Sequence, residues 1–489
     1  MNGRILAGLL GLCVLAGCTD DPTASPRESR QPTSVERSTP SRTGDSPVPA
    51  TPTATVPLVL AVHATRPVAD VPLAAARELM DRAARTGEPG GPGLSVRWSA
   101  LGQLGRGRAE VLHATSSPGS AREVLDHVRS DDGTVAIVPA DAVDATVRVL
   151  TVDGVHPLRD PIRYPLQTAA PAGPGEVTAV TLVGDVMLGR RVARASGNDP
   201  IRPLRRTAER LATAEITAGN LESTLSDDGV PTQGGDSFSA APQVVEGLHL
   251  AGFDVVSLAN NHVGDYGRGA LLDTLAELRR ADLPYVGAGR DLAEARRPVV
   301  VARDGIRVGF LATDSIGETP AAASERPGTN RLDMPPRTGP LNQRQLDRVT
   351  ADIAELDRLA DVVVVLPHWG TQYTHVPETS QRRAARAFAE AGADLVVGGH
   401  PHWVQGWELI DDTLVVHSLG NFVLDMDFQT KTMQGVFVEI VLWGGDVKAV
   451  EPVPYVLSRS FVPRVVTGGE AADILADVWS TSRGPFATP

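Results

Sequence analysis

The chain has 489 residues, of which 46 are basic and 59 acidic, so its formal net charge at pH 7 is −13. This acidic balance excludes a large basic surface for nucleic acid, and we expect no nucleic-acid partner. Its two cysteines, Cys13 and Cys18, exclude a disulfide-rich scaffold and a zinc site built on four cysteines. With 42% hydrophobic residues, most of the chain is expected to be globular.

The first 18 residues have the features of a signal peptide. Arg4 is the only charge before Asp20, and residues 5–16 form an apolar stretch that is too short to span a bilayer. The stretch ends at Cys18 in the sequence Leu-Ala-Gly-Cys, which resembles the bacterial lipobox. This resemblance implies cleavage before Cys18, lipidation of that cysteine and an extracytoplasmic protein anchored to the cell membrane as a lipoprotein. An ordinary signal peptide with an incidental cysteine is the alternative.

Two segments follow the leader. Residues 19–56 are rich in Pro, Ser and Thr and have no apolar periodicity, so we predict a disordered tether. Residues 57–166 contain three strand-like apolar runs and one helical pattern, which predict a small α/β module. This module is faintly similar to half of a solute-binding domain, and its scattered histidines form no recognisable catalytic set.

The main domain is predicted over residues 176–460, with a C-terminal tail at 461–489. Apolar strands alternate with amphipathic helices, which indicates a mainly parallel sheet covered on both faces, and the strand-rich end suggests a second sheet packed on the first. Strands are predicted at 177–183, 216–219, 254–258, 362–366 and 395–397, and helices at 202–214, 271–281, 345–359 and 382–390. The apolar runs 299–302 and 307–312 predict a hairpin around the Asp304-Gly305 turn.

Polar side chains follow five of the predicted strands. They are Asp185, Glu222, Asn261 with His262, His368, and His400 with His402. Because ligands bind at the carboxyl ends of strands in open α/β sheets, we expect these groups to converge on one site. Carboxylate, amide and imidazole ligands suit divalent Mn, Zn, Fe or Ni, so one or two such ions are the expected cofactor.

The alternative interpretation of these residues is a set of turn and capping side chains, since Asp and Asn are favoured there for local hydrogen bonds. Asp185 taken alone fits either interpretation, whereas the five placements together favour a metal site. His417 and His249 fall within a predicted strand and helix and are interpreted as structural. His375 is left open.

Six motifs resemble those of the CapA-type poly-γ-glutamate capsule biosynthesis proteins. They are the segments 184–190, 219–222, 259–262 with 265–267, 368–370, 399–402 with Gln405, and 418–422. The resemblance covers roughly residues 176–460. It implies an α/β fold of the calcineurin-like metallophosphoesterase type, a two-sheet sandwich flanked by helices, preceded here by the small N-terminal module.

The resemblance also implies roles for the site residues. Asp185 and His402 would bind a first metal, Asn261, His368 and His400 a second, and Glu222 would bridge them. His262 would be the general acid for the leaving group. Arg190 would hold an anionic group of the substrate, although a surface salt bridge fits Arg190 equally well.

Three positions depart from the phosphoesterase or family pattern. Met187 stands where the first motif of phosphoesterases has a histidine ligand, so one ligand of the first metal is absent. Glu222 replaces the usual bridging aspartate, and Gln372 stands where many family members have glutamate. These departures concern the activity more than the fold.

Two functions fit the sequence. The first is a metal-dependent hydrolase of an anionic phosphoester or amide substrate, active in poly-γ-glutamate or capsule synthesis or export. The second is a non-catalytic accessory protein that binds the polymer or scaffolds a membrane capsule synthase complex. In either case the expected partners are an anionic polymer such as poly-γ-glutamate and, through the lipid anchor, the membrane.

Overall fold

The computed structural model describes residues 54–67, 69–86, 94–101, 108–114 and 118–489. The predicted leader, Cys18 and nearly all of the predicted tether lie outside these residues. Two large mixed sheets dominate the described part of the chain, and a smaller sheet precedes them. No helix among the described residues combines the length and apolar character needed to cross a membrane.

The first large sheet has eight strands. The strand Val177–Val186 divides this sheet. On one side of it lie parallel strands from the alternating strand–helix segment, and on the other side lie antiparallel strands from the end of the chain. In spatial order the strands are Tyr285–Val286, Phe253–Ser257, Ile216–Leu221, Val177–Val186, Gln434–Trp443, Asp446–Leu457 and Pro463–Val465, with Asn421–Val423 paired beside Val177–Val186.

The second large sheet has six strands, of which the four central ones are parallel. In spatial order they are Val299–Arg303, Ile306–Asp314, Val362–His368, Leu395–Val397, Thr413–Leu419 and Val404–Ile410. The two edge strands pair antiparallel with their neighbours, and the first of them forms the hairpin predicted around Asp304.

The inner faces of the two sheets pack against each other. Val180 and Leu182 of the first sheet belong to the same buried apolar cluster as Phe310, Val362 and Val364 of the second. The strand Val362–His368 is buried along its whole length, because one face meets the other sheet and the opposite face is covered by helices. The predicted two-sheet sandwich is therefore confirmed, and in each sheet a group of parallel strands is extended by antiparallel ones.

Helices cover the outer faces. The helix Gln343–Asp357 shows why: Leu346, Val349, Ile353 and Leu356 recur at helical spacing and bury one stripe against the second sheet. The helices are Leu73–Thr86, Pro118–Ser130, Arg190–Ser196, Arg205–Leu211, Val245–Leu250, Gly267–Arg280, Leu292–Ala295, Gln343–Asp357, Thr379–Glu390 and Gly468–Trp479.

The smaller sheet is built from residues 54–170. Its strands are Leu94–Arg97, Arg108–His113, Thr134–Pro139, Ala54–His63 and Val147–Val149 in spatial order, with Gln167–Ala170 also paired to Ala54–His63. Trp443 of the eight-stranded sheet packs into this module's core and donates its indole N–H to the Leu158 carbonyl at 2.7 Å. Three two-stranded pairs complete the fold: Thr224–Leu225 with Ser239–Ala240, Ala288–Gly289 with Gly328–Thr329, and Asp70–Val71 with Thr151–Val152.

Residues 461–489, which the sequence indicates only as a tail, are folded onto the sandwich. They contain the strand Pro463–Val465 and the helix Gly468–Trp479. Ile474, Val478 and Phe486 are buried in the apolar cluster between the sheets. The short apolar spacing of this segment is too weak a signal to predict that packing.

Candidate metal centre

The predicted ligand residues converge where parallel strands of both large sheets end. The eight-stranded sheet supplies Asp185, Glu222, Asn261 and His262, and the six-stranded sheet supplies His368, His400 and His402. All seven side chains are buried, with at most 4% of any residue exposed. The sandwich therefore carries one polar cluster at the shared edge of its two sheets.

Within this cluster, two groups of side chains are placed to hold a cation. Glu222, His368 and His400 form one group, and Asp185, Glu222 and His402 form the other; in each, one ligand atom per residue lies within 4.8 Å of the others. Glu222 belongs to both groups, which is the place that the family resemblance implies for a bridging carboxylate.

Asn261 adds a donor to the group that contains His368. Its Oδ1 atom lies at hydrogen-bond distance, 2.9 Å, from His368 Nε2, which brings this oxygen to the same part of the cluster. We call Glu222, His368, His400 and Asn261 the second ligand group, and Asp185, Glu222 and His402 the first.

Four buried ligand atoms in the cluster have no hydrogen-bond partner among the described residues. They are Glu222 Oε1, His400 Nδ1 and Nε2, and His402 Nε2. Unpaired polar atoms in a protein interior are destabilising, commonly by about 1–3 kcal/mol each. A divalent cation accepts electron pairs from such carboxylate and imidazole atoms, so the residues present fit a metal ion.

The carboxylates of the cluster differ in their ionisation. Burial, followed by the negative charge of Asp185, raises the pKa of Glu222 to about 8. Burial opposes ionisation of Asp185 too, but hydrogen bonding from His402 and the other polar groups around it outweighs burial and lowers the pKa of Asp185. Asp185 therefore stays ionised near neutral pH, whereas Glu222 holds a proton in the absence of a cation.

The histidines differ as well. Burial lowers the pKa of His368, and burial together with the neighbouring His368 and His402 holds the pKa of His400 well below its ordinary value. For His402, burial is outweighed by its contacts with Asp185 and by the charge of Glu222, so its pKa is raised. His368 and His400 are thus neutral imidazoles, the form that binds metal.

The turn that carries His400 and His402 has a left-handed backbone at both histidines. Their φ angles are 93° and 59°, values that non-glycine residues rarely adopt and that cost roughly 1–3 kcal/mol each. This conformation turns both side chains into the cluster, with their ring centroids 5.6 Å apart. The chain therefore bends at Pro401, and the two histidines themselves supply the unusual backbone of this bend.

Gly399 is required by the close approach of the same turn to Asp185. A Cβ atom at position 399 would lie 2.5 Å from Asp185 Oδ1, inside van der Waals contact. The amide of His400 also donates to Asp185 Oδ2 at 3.2 Å. The absence of a side chain at 399 thus lets the two sheets bring their ligands together.

Two asparagines orient the candidate ligands, a role that the sequence analysis does not predict. Asn220 Nδ2 donates to Asp185 Oδ1 at 2.8 Å and lies 3.2 Å from His368 Nδ1. Asn421 Oδ1 accepts from His402 Nδ1 at 2.8 Å, which leaves His402 Nε2 facing the cluster. Both asparagines lie inside segments that resemble the family motifs, Asn220 in 219–222 and Asn421 in 418–422, and that is the signal that could have found them.

His262 is held at the edge of the cluster by Asp265. Its Nδ1 lies 2.6 Å from Asp265 Oδ2, and its Nε2 lies 3.8 Å from Glu222 Oε1. The ring stacks on Phe238 with centroids 3.7 Å apart and planes 13° apart. Asp265 also accepts the Phe238 amide at 2.7 Å, so one carboxylate positions both rings.

Arg190 contacts the ring of Phe238, which in turn stacks on His262. Its guanidinium carbon is 4.7 Å from the centroid of Phe238, and its Nη2 is 3.2 Å from Asp425 Oδ1. The side chain is 28% exposed, and its ion pair is with Asp425 rather than with a ligand residue. Arg190 thus forms a salt bridge, as one interpretation of the sequence expects, and it also borders the site, as a role in binding the substrate would require.

Met187 and the remaining histidines lie outside the cluster. Met187 is buried in an apolar cluster, and its sulfur accepts the Gly189 amide at 3.2 Å, so this position supplies no ligand. His417 Nε2 lies 2.8 Å from Glu408, and His249 Nε2 bonds the carbonyl of residue 281. His375 Nδ1 bonds the Val404 carbonyl at 2.7 Å.

Comparison with known proteins places this site in a family. A model of the bacterial capsule synthesis protein family PGA_cap matches residues 179–426, just over half of the chain and the whole of the cluster described above. The chain belongs to the PGA_cap family. The resemblance seen in the motifs is therefore confirmed, and the ligand cluster lies entirely within the family region.

Among curated relatives of this PGA_cap protein is the capsule biosynthesis protein CapA of Bacillus anthracis. It is 33% identical over 287 residues, which cover 57% of this chain and 67% of the relative. The PGA biosynthesis protein CapA of Bacillus subtilis strain 168 is 32% identical over 269 residues, covering 54% and 67%. A solved structure of a hypothetical protein from Thermus thermophilus aligns with 57% of this chain and 99% of its own, at 18% identity and a TM-score of 0.35.

The raised pKa of Glu222 makes cation binding pH-dependent. Below about pH 8 the carboxyl carries a proton that a cation must displace, so we expect the affinity for Mn²⁺ to rise as the pH increases from about 6 to about 8 and to level off above that. Titration calorimetry near neutral pH in two buffers of different ionisation enthalpy would measure the released proton. Asp394→Asn is the control, because burial also raises the pKa of this carboxyl, to about 6, but Asp394 lies outside the cluster. An affinity that does not change across this pH range would contradict this expectation.

Proposed function

We propose that the protein is a metal-dependent hydrolase that acts on an anionic substrate during the synthesis of a poly-γ-glutamate capsule. The observation that carries this proposal is the pair of buried ligand groups that share Glu222 and contain unpaired metal-binding atoms. Relatives named for capsule and PGA biosynthesis supply the biological setting. The substrate class is a phosphoester or a γ-glutamyl amide.

The ligand groups decide what chemistry the site supports. A divalent ion held by them would act as a Lewis acid on a phosphoryl or carbonyl oxygen of the substrate. The first ligand group offers three donors and the second offers four, because Met187 adds no ligand to the first and Asn261 adds one to the second. Imidazole, carboxylate and amide donors together suit Mn, Zn, Fe or Ni.

His262 is placed to give a proton to the leaving group. Asp265 accepts a hydrogen bond from Nδ1 and fixes the ring, while Nε2 remains on the side of Glu222. Phe238 covers one face of the ring and shields it from water. A histidine fixed in this way acts as a general acid when the leaving oxygen or nitrogen lies within hydrogen-bond reach of Nε2.

Arg190 would bind an anionic group of the substrate beside this acid. Its guanidinium stacks over Phe238, and the partial exposure of its side chain leaves it accessible to solutes. Asp425 holds the guanidinium in this position. A carboxylate or phosphate oxygen arriving at the site would complete the hydrogen-bonding capacity that one carboxylate leaves unused.

A non-catalytic role as polymer-binding accessory or scaffold of a capsule synthase is the second candidate. The observation that favours it is the buried Met187, which leaves the first ligand group one donor poorer than the second. In this case substitutions in the cluster would leave polymer output unchanged in cells, which separates the accessory role from the hydrolase proposal.

His402→Ala is expected to reduce metal content and activity together. The variant removes one of three donors from the first ligand group, so activity should fall by more than the roughly 10–100-fold typical of losing a residue that only orients a ligand. Elemental analysis of the purified protein, with a hydrolysis screen on phosphoesters and γ-glutamyl polymers, provides the measurement. His249→Ala, on an outer helix, should change neither. A His402→Ala protein with unaltered metal and activity would refute the metal-dependent hydrolase.

His262→Ala should separate proton transfer from metal binding. We expect hydrolysis to fall by roughly 10²–10⁴-fold, the usual contribution of a general acid, while metal content stays at the wild-type level. His375→Ala is the matched control, because His375 is a partly buried histidine bonded to a backbone carbonyl. Wild-type rates in the His262→Ala protein would rule out His262 as the acid.

We also propose that the protein is held at the outer face of the cell membrane by a lipid on Cys18, close to a membrane capsule synthase. The lipobox-like sequence that ends at this residue supports the proposal. Cys18→Ser should move the protein from the membrane fraction to the soluble extracytoplasmic fraction, as followed by fractionation and immunoblotting. Cys13→Ser is the control, since Cys13 lies within the apolar leader. Membrane retention of the Cys18→Ser protein would contradict lipid anchoring at this cysteine.

A further inference from the structure

The side-chain amide of Asn261 has a partner at each end. Nδ2 donates to Glu318 Oε2 at 2.6 Å, and Oδ1 lies 2.9 Å from His368 Nε2. An ionised carboxylate only accepts hydrogen bonds, so the NH₂ end of the amide must face Glu318. The oxygen of Asn261, which is the end able to bind a cation, is thereby directed towards His368 and the second ligand group.

The segment that carries Glu318 is tied to the loops on both sides of the second ligand group. The amide of Ser315 donates to the His368 carbonyl at 2.9 Å. Thr319 is buried, and its Oγ1 accepts the amide of Gly264 at 3.0 Å, in the turn that also carries His262. Glu318 is therefore held at a fixed position between the turn after Phe253–Ser257 and the end of Val362–His368.

Glu318 also pairs with Arg337, which lies at the surface. The guanidinium contacts Glu318 Oε1, and the side chains of Arg337 and Glu318 are 41% and 28% exposed. The two carboxylate oxygens of Glu318 thus have different partners, since Oε1 contacts Arg337 and Oε2 accepts the hydrogen bond from Asn261. This ion pair is partly exposed at the surface, where such pairs contribute little, so the contact of Glu318 with Asn261 does not depend on it.

We propose that Glu318 is a positioning residue that locks the Asn261 amide with Oδ1 towards the second ligand group and so raises the affinity of that group for a divalent cation. The proposal rests on the proposed function only in requiring that a cation binds there. Among the described residues, Asn261 is the one member of the cluster to which Glu318 is hydrogen-bonded. It acts through the asparagine.

Aspartate at position 261 provides a way to separate positioning from a merely structural role. An aspartate carries oxygen at both ends of its side chain, so it needs no partner to orient it. Placed 2.6 Å from Glu318, it would instead meet a like charge, which disfavours its ionised form. If Glu318 works by orienting an amide, removing its side chain should lower the cation affinity of the wild-type site. The same removal should raise the cation affinity of a site that contains Asn261→Asp.

The test is titration calorimetry with Mn²⁺ on the purified full-length protein. We expect Glu318→Ala to weaken binding by about 10-fold to 100-fold, the usual effect of removing a partner that orients a metal ligand. Asn261→Asp should also bind more weakly than the wild type. The double variant Asn261→Asp with Glu318→Ala should bind more tightly than Asn261→Asp alone.

Three controls make the result specific. Arg337→Ala breaks the surface ion pair but keeps the bond to Asn261, and it should bind Mn²⁺ nearly as well as the wild type. Glu470→Ala removes a comparable Glu–Arg pair, with Arg464 at 3.1 Å on the edge strand of the eight-stranded sheet, and should have no effect. The melting temperature of each variant shows that it is folded.

Three outcomes would overturn the inference: unchanged affinity in Glu318→Ala, an equal loss from Glu318→Ala in the wild-type and Asn261→Asp backgrounds, or a loss in Arg337→Ala as large as that in Glu318→Ala. Wild-type protein that binds no Mn²⁺ would overturn the proposed function itself. Wild-type binding with an unaffected Glu318→Ala variant would overturn only the role of Glu318.

Discussion

A buried carboxylate with an unpaired oxygen is the constraint around which the site is built. Glu222 is fully buried, and its Oε1 has two histidine nitrogens at 3.5 and 3.8 Å but no hydrogen-bond partner among the described residues. Such a group is costly in a protein interior unless a proton or a cation compensates it. The raised pKa of Glu222 expresses this cost in the protein alone, and the surrounding imidazoles show what kind of cation would remove it.

Other residues of the site hold the candidate ligands in this energetically unfavourable arrangement. Asn220 and Asn421 orient a carboxylate and an imidazole, and Gly399 lets the two sheets approach. The left-handed backbone at His400 and His402 adds strain that the neighbouring strands must support. The apolar interface between the sheets supplies that support, because a well-packed sandwich has few ways to relax.

The two ligand groups are unequal, and this inequality bears on function. The second group has four donors and an asparagine held by Glu318, whereas the first has three donors and a methionine where a further ligand would stand. Under the proposed hydrolase function, the second group would therefore be the one better able to hold a cation. Membership of the PGA_cap family agrees with a role in capsule synthesis.

Much of this protein could be predicted from its sequence. Continuous apolar runs identified the central strands, because a strand buried on both faces has no polar side to show. The ligand residues Asp185, Glu222, Asn261, His368, His400 and His402 were predicted because each follows such a strand. The hairpin at Asp304 was predicted from its Asp-Gly turn, which suits a tight reversal of the chain.

Only the tertiary structure decided the rest. Which strands pair, and in which direction, depends on contacts between distant segments, such as Val177–Val186 with Gln434–Trp443, that no local pattern encodes. The packing of residues 461–489 and the role of Glu318 depend on the same kind of long-range contact. Sequence thus determined which side chains could bind a cation, because that depends on residue chemistry. Folding determined how they are grouped and oriented, because that depends on which strand ends meet in space.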